Sequence, residues 1–148
     1  MFAISNKTDY GLLLLSQLAK KDTFVPMSQL TANTNLPERF IARIASDMVR
    51  YGILQSREGK VGGYRLARKL NQITLTEFFS LFEEKTDPVK CLKPEYECKF
   101  DGLCTHKTFF RSKLGDILKA ELSKWTVADL FESGDTVIPD KIQHDLPA

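Results

Sequence analysis

The stretch from Ser28 to Leu66, SQLTANTNLPERFIARIASDMVRYGILQSREGKVGGYRL, sets the expected fold of this 148-residue chain. Ser28 to Asn33 reads as a short helix with Ser28 as its N-cap, because a serine hydroxyl accepts a hydrogen bond from a first-turn amide. Asn35, Leu36 and Pro37 break it. Proline is welcome at or near a helix start, so a second helix is expected from about Pro37 to Tyr51, stopping at Gly52. Phe40, Ile41, Ile44 and Met48 form its inner stripe, and Arg39, Ala42, Arg43, Ser46 and Arg50 its outer face. Two short helices joined by a tight turn, the second basic on its outer face, have the layout of a helix-turn-helix. A plain helical hairpin with a solvated charged face has the same pattern.

The residues after Gly52 separate the two readings. Ile53 to Arg57 reads as a short strand, Glu58 to Gly63 (EGKVGG) as a turn with three glycines, and Tyr64 to Leu66 as the return strand. Glycine permits positive φ and lets a hairpin tip approach another backbone. A hairpin after a basic helix is a wing, which points to DNA. The Gly-x-x-Gly-Gly run is not a phosphate loop, since no GK[ST] follows and no helix opens after it. The expected DNA contacts are Ser28, Pro37, Arg39, Phe40, Arg43 and Arg50 on the helices and Arg57, Lys60 and Arg65 on the wing, with Lys69 at most touching phosphate.

Upstream, a helix is expected from Asn6 to Lys20, with Leu12, Leu15, Leu18 and Ala19 at helical spacing and Leu13 and Leu14 widening the apolar face. Downstream, Ala67 to Gln72 is a basic connector. Thr74 and Glu77 form a T-x-x-E capping box for a helix from Leu75 to Lys85, whose Phe78, Phe79, Leu81 and Phe82 are expected to pack on the first helix. A long helix from Lys107 to Lys124 carries Phe110, Leu114, Ile117, Leu118, Leu122 and Trp125 at spacings of three and four. Its stripe is expected to pair with the same helix of a second subunit, the alternative being packing on its own domain. Trp125 to Phe131 adds a last short turn. The expected organisation is therefore a winged helix-turn-helix domain (1–70), a connecting helix (71–86), a cysteine loop (87–106), a dimerisation helix with a terminal turn (107–131) and a frayed tail (132–148): a mainly α fold with a small β-hairpin wing.

The cysteine loop, DPVKCLKPEYECKFDGLCTH, holds all three cysteines, Cys91, Cys98 and Cys104, with gaps of six and five residues and His106 two places after the last. Three thiolates and a fourth donor suit an iron-sulfur cluster, zinc or copper(I). Tight C-x2-4-C knuckles of structural zinc are missing, and wider gaps wrap something larger than one ion. Three cysteines on a lysine-rich loop make poor core composition, and an odd count without a signal peptide argues against an extracellular disulfide framework.

Charge supports a polyanion partner for the front half only. Residues 1 to 70 hold 11 Lys and Arg against 5 Asp and Glu, whereas residues 71 to 148 hold 10 against 14. With 43% hydrophobic and 27% charged residues and no long apolar run, the chain is expected to be cytoplasmic, with no membrane partner. Its two histidines, His106 and His144, join no recognisable catalytic constellation, so an enzyme is not expected.

Asp9-Tyr10, Gly52-Ile53-Leu54, Gly62-Gly63-Tyr64-Arg65-Leu66, Ile73-Thr74-Leu75 and the three cysteines, in this order and at these separations, resemble the IscR/NsrR-like family of dimeric winged-helix iron-sulfur regulators across about Met1 to Phe131. The resemblance implies a homodimer on a palindromic duplex operator, most simply a repressor, controlled by a [2Fe-2S] or [4Fe-4S] cluster on Cys91, Cys98 and Cys104 that senses nitric oxide, oxygen, redox or iron status. The fourth ligand is His106 or Asp9; NsrR-like members, in which an acid at the start of the first helix reaches across the dimer, favour Asp9. Three departures stand out. The first cysteine gap is six residues where members commonly have five, and His106 follows Cys104 by two where the IscR-like ligand histidine follows by three. Glu58 stands where an arginine usually enters the minor groove, leaving that role to Arg57 or Lys60. Some relatives bind no cluster, so a regulator controlled by a protein partner or by thiol oxidation is the alternative.

Overall fold

The computed structural model describes residues 4–32, 34–83 and 95–132. Cys91, Asn33, the helical residues expected up to Lys85 and the tail from residue 133 lie outside the described residues. Helix α1 (Asn6–Leu18) opens on Ser5, whose side chain accepts from the Thr8 amide, and buries Thr8, Gly11, Leu14, Leu15 and Leu18. The helix ends two residues before the expected Lys20, and Leu13 and Ala19 lie outside the apolar face. One stripe at spacings of three and four is all that the neighbouring elements cover.

Ser28 does not cap the next helix, α2 (Met27–Thr31). Pro26 occupies that position in extended conformation, and its carbonyl accepts from Gln29 N (3.0 Å) and Leu30 N (3.2 Å). Ser28 is instead an exposed residue inside the first turn. The shift arises because Val25, just before the proline, exchanges two 2.9 Å backbone hydrogen bonds with Tyr64, fixing where extended chain must give way to helix.

Helix α3 (Glu38–Arg50) follows with Pro37 as its N-cap and buries Ile41, Ile44, Ala45 and Met48, while Arg39, Arg43, Ser46 and Arg50 are exposed. It stops before Gly52, whose φ of 71° suits a residue without a β-carbon. Strands β1 (Leu54–Arg57) and β2 (Gly63–Leu66) pair antiparallel, with Leu54 opposite Leu66, Gln55 opposite Arg65 and Arg57 opposite Gly63. Gly63, at φ 134°, lies so close to the Val25 carbonyl that any β-carbon would collide with it. The wing is thereby held against the segment that precedes the helix-turn-helix.

A 3-10 turn (Leu70–Gln72) leads to α4 (Leu75–Phe82), where the Thr74 hydroxyl accepts from Glu77 N at 3.1 Å. Only that half of the expected capping box is observed: the Glu77 carboxylate pairs with Arg68, which also donates to the Gly52 carbonyl (3.2 Å). Phe78 and Phe82 cross α1 at Gly11, where an added β-carbon would stand 2.8 Å from the Phe82 ring. Helix α4 stops at Phe82, short of the expected Lys85, with Glu83 already extended and turned back to the start of α1.

The next helical run is α5 (Lys107–Phe109), a π turn (Phe110–Leu114) and α6 (Gly115–Leu122), so the expected uninterrupted helix to Lys124 is both shorter and locally widened. Thr76 Oγ1 donates to the Lys119 carbonyl (3.1 Å), docking α6 on α4, and Leu118 and Leu122 line a small cavity with Thr76, Phe79 and Ser80. Trp125 is not part of the helix: it is half exposed, and its carbonyl accepts from Leu75 N. Thr126 and Asp129 then cap α7 (Val127–Glu132) reciprocally, and fully buried Val127 anchors it, contributing about 1.5 to 3 kcal/mol. Helices α1, α3, α4 and α7 and the residues flanking the hairpin share one core. Among the described residues no helix is long and apolar enough to cross a membrane.

Candidate functional site

The candidate recognition face is the side of α3 left exposed by burial of its opposite side. Because Ile41, Ile44, Ala45 and Met48 face the core, Arg39 and Arg43, one turn apart, project outward near the helix start. Arg50, at the far end, pairs loosely with Asp47 at 3.8 Å. Phe40 is half-buried and sets its ring edge-on to Tyr10 of α1 at 5.6 Å. Ser28 and Pro37 are both exposed on the helix-turn-helix.

At the wing, the two arginines are held by contacts within and beside the hairpin. Gly62 N donates to the Gly59 carbonyl (3.0 Å) to close the tip, and Glu58 and Lys60 are exposed there. Arg57 Nη2 donates to the Val61 carbonyl (2.7 Å), and its guanidinium lies 4.3 Å from the centre of the Phe24 ring. Arg65 donates to Gln55 Oε1 (2.9 Å) and lies 4.7 Å from the same ring. Phe24 is absent from the residues expected at this site. The signal for it was slight: one aromatic before Val25-Pro26, too short a segment to show a strand period.

In the cysteine segment the described part runs from Glu95. Two overlapping turns, with Asp101 N donating to Cys98 O (3.2 Å) and Cys104 N to Phe100 O (2.9 Å), bring Cys98 and Cys104 onto one small loop, both thiols partly buried. Lys107 clamps the loop through the Asp101 carbonyl (2.8 Å) and carboxylate (3.0 Å). The Cys104 sulfur lies 3.4 Å from His106 Nε2, whose ring stacks edge-on to Phe110 at 5.2 Å. Soft thiolate and imidazole donors in a partly exposed, pinned loop fit a cluster or soft metal. Among the described residues no three such donors converge, and Cys91 lies outside them. Asp9 is exposed in the first turn of α1, one residue from Thr8, which bonds to Glu83 where the chain leaves α4.

Of the expected dimerisation residues, Ile117 is exposed, Phe110, Leu114 and Leu118 are half-buried, and Leu122 packs against the core. The stripe therefore divides: Leu118 and Leu122 turn to their own α4, while Ile117 is exposed, as is Phe109 outside the expected stripe.

Comparison with known proteins places these features in context. A family model described as "Rrf2: Iron-dependent Transcriptional regulator" matches residues 4–133. The HTH-type transcriptional regulator CymR of Bacillus subtilis is 29% identical over 134 residues, covering 89% of this chain and 91% of that protein. The NsrR regulator of Halalkalibacterium halodurans is 25% identical over 135 residues, covering 89% and 92%. Among solved structures, CymR, the global cysteine regulator of B. subtilis, superposes with a TM-score of 0.66 at 28% identity, over 91% of this chain and 100% of that one. The T. potens IscR structure, at 18% identity, shares the fold with a TM-score of 0.63 over 95% and 96%.

Proposed function

The chain belongs to the Rrf2 family of transcriptional regulators, and on that premise we propose that it is a homodimeric repressor whose grip on a palindromic operator is set by an iron-sulfur cluster bound in the cysteine loop. The observation that carries the reading is the 3.4 Å approach of Cys104 to His106 inside a loop already closed by Lys107. Cys98 and Cys104 supply two thiolates, Cys91 the third, and His106 is the fourth donor that one chain places at hand. Asp9 is the fourth donor if the loop meets the first helix of a second copy. A bound cluster supplies a centre that reacts with redox agents or a diatomic gas such as nitric oxide.

The protein's own residues then supply the readout. Arg39 and Arg43 reach base edges in the major groove, Ser28, Pro37, Phe40 and Arg50 flank them, and Arg57, Lys60 and Arg65 hold the backbone or minor groove from the wing. Outward-facing Ile117, with Phe110 and Leu114 beside it, joins two copies so that two recognition helices address the two half-sites.

The test is an anaerobic purification followed by selection of duplexes from a random-sequence library. A brown protein with visible absorbance that selects a palindrome, and whose affinity for it changes when nitric oxide or a chelator bleaches the colour, is the expected result. A colourless protein that selects the same palindrome with full affinity would replace the cluster with control by thiol oxidation or a protein partner.

A further inference from the structure

The wing arginines are arranged by a residue outside the wing. Phe24 directly precedes Val25, which joins the two-stranded hairpin by a single antiparallel bridge to Tyr64, their mutual backbone bonds both 2.9 Å. Strand register puts Arg57 and Arg65 on one face of the hairpin, with Gln55 opposite Arg65 and side-chain-free Gly63 opposite Arg57. Both guanidiniums lie over the Phe24 ring, at 4.3 and 4.7 Å from its centre. Two cations this close to one ring repel each other, and the electron-rich ring they share offsets that repulsion.

The remaining contacts of the two arginines fix their orientation without using up their hydrogen-bonding capacity. Arg57 gives one terminal nitrogen to the Val61 carbonyl, tying it to the wing tip, and Arg65 gives its Nε to Gln55. A guanidinium carries five N–H donors, so most of each remains for a ligand. The ligand chemistry that matches two neighbouring, partly solvated guanidiniums on a hairpin read as a DNA contact is the duplex phosphate backbone.

We infer that Phe24 is a positioning residue for DNA binding: its ring holds Arg57 and Arg65 in the orientation in which the wing meets backbone phosphates. The inference rests on the reading of the wing as a DNA contact. Without the ring, both long side chains sample many rotamers and must be ordered at the moment of binding, which weakens the complex.

A mutant cycle tests this on a duplex selected from a random library, with affinity read by anisotropy and folding by thermal unfolding. Phe24→Leu keeps an apolar side chain beside Val25 and removes the ring face; it is expected to weaken binding on the order of tenfold in the native background. The same change in an Arg57→Ala/Arg65→Ala background is expected to cost nothing further, and Phe24→Tyr to retain affinity in the native one. Equal losses in both backgrounds would mean that Phe24 acts through the fold and overturn the inference. So would full affinity of Phe24→Leu alongside weakened Arg57→Ala, or a Phe24→Tyr protein as weak as Phe24→Leu. Native affinity in the double arginine variant would remove the wing reading itself, and the inference with it.

Discussion

The Glu83 carboxylate lies 2.6 Å from the Thr8 hydroxyl, joining the end of α4 to the start of α1 across 75 residues of sequence. It also accepts from the Ser5 amide at 2.8 Å, an otherwise free donor at the helix start. Thr8 is fully buried, so the pair satisfies a polar group in the core at the point where the cysteine loop departs.

This pair gives the fold an acid-sensitive contact. Partial burial alone would raise the Glu83 pKa, but hydrogen bonds from Thr8 and Ser5 outweigh it and hold the carboxyl below its usual value. Its contribution to stability is therefore present above the ordinary carboxylate pKa and is lost as pH falls through the lowered folded-state value. Glu83→Gln is expected to unfold with a flatter pH dependence than the native protein between about pH 6 and about pH 3. Identical slopes in thermal melts across that window would show that the contact is not coupled to folding.

Arg39 and Arg43 are expected to read base edges, so truncating either to alanine should cost about 1 to 3 kcal/mol on a selected duplex and relax preference at one half-site position. Exposed Lys69 should act evenly on all sequences, its alanine variant flattening the salt dependence by about one unit. Unchanged affinity in both arginine variants would displace α3 from the major groove.

Ile117 is 54% exposed on the face away from α4, so Ile117→Glu is expected to give folded monomers in sedimentation that bind the operator weakly. Leu118 faces α4, and Leu118→Ala should instead lower stability, by about 1 to 3 kcal/mol for a half-buried site, with dimerisation less affected. A dimeric Ile117→Glu protein would move the interface elsewhere.

His106→Ala and Asp9→Ala separate the two fourth ligands. With the 3.4 Å Cys104–His106 approach decisive, the visible spectrum of an anaerobic preparation should change in His106→Ala and persist in Asp9→Ala. The reverse pattern would assign the ligand to α1 and to a second copy of the chain. Unchanged spectra in all three single cysteine variants would exclude the loop as the cluster site.

At Gly11, where a β-carbon would meet the rings of Phe82 and Phe78, Gly11→Ala is expected to destabilise the protein by about 1 to 3 kcal/mol in urea unfolding, despite alanine's better helix propensity. A more stable variant would show that the aromatic cluster yields easily.

The winged helix-turn-helix and the helix after it were legible because their signals are local: the stripe of α3, the glycines of the hairpin and the threonine cap of α4 each act within a few residues. Where sequence fell short, a distant partner decided. Pairing of Val25 with Tyr64 moved the start of α2 away from Ser28, and the pull of Glu83 toward α1 ended α4 early. The Thr126–Asp129 box was present to be read, but its use in docking Val127 was not. In the cysteine loop, the nearness of Cys104 and His106 followed from their two-residue separation, whereas the ring shared by Arg57 and Arg65 depended on segments that meet only in three dimensions. An apolar stripe also cannot name the surface it will cover, which is why Leu118 and Ile117 looked equivalent.

The π turn at Phe110–Leu114 lies between the Cys104–His106 pair and the part of the helix that rests on α4. An α-helix advances about 100° and about 1.5 Å per residue, whereas a π turn closes its hydrogen bond one residue later, so this turn takes up a residue that would otherwise rotate the thiol and imidazole relative to α6. A single residue lost within this widened turn could be taken up by closing it to ordinary α-helix, leaving the docking contacts of α6 and the aim of the cysteine loop in register, whereas the same loss within α6 itself would swing the loop by about 100°.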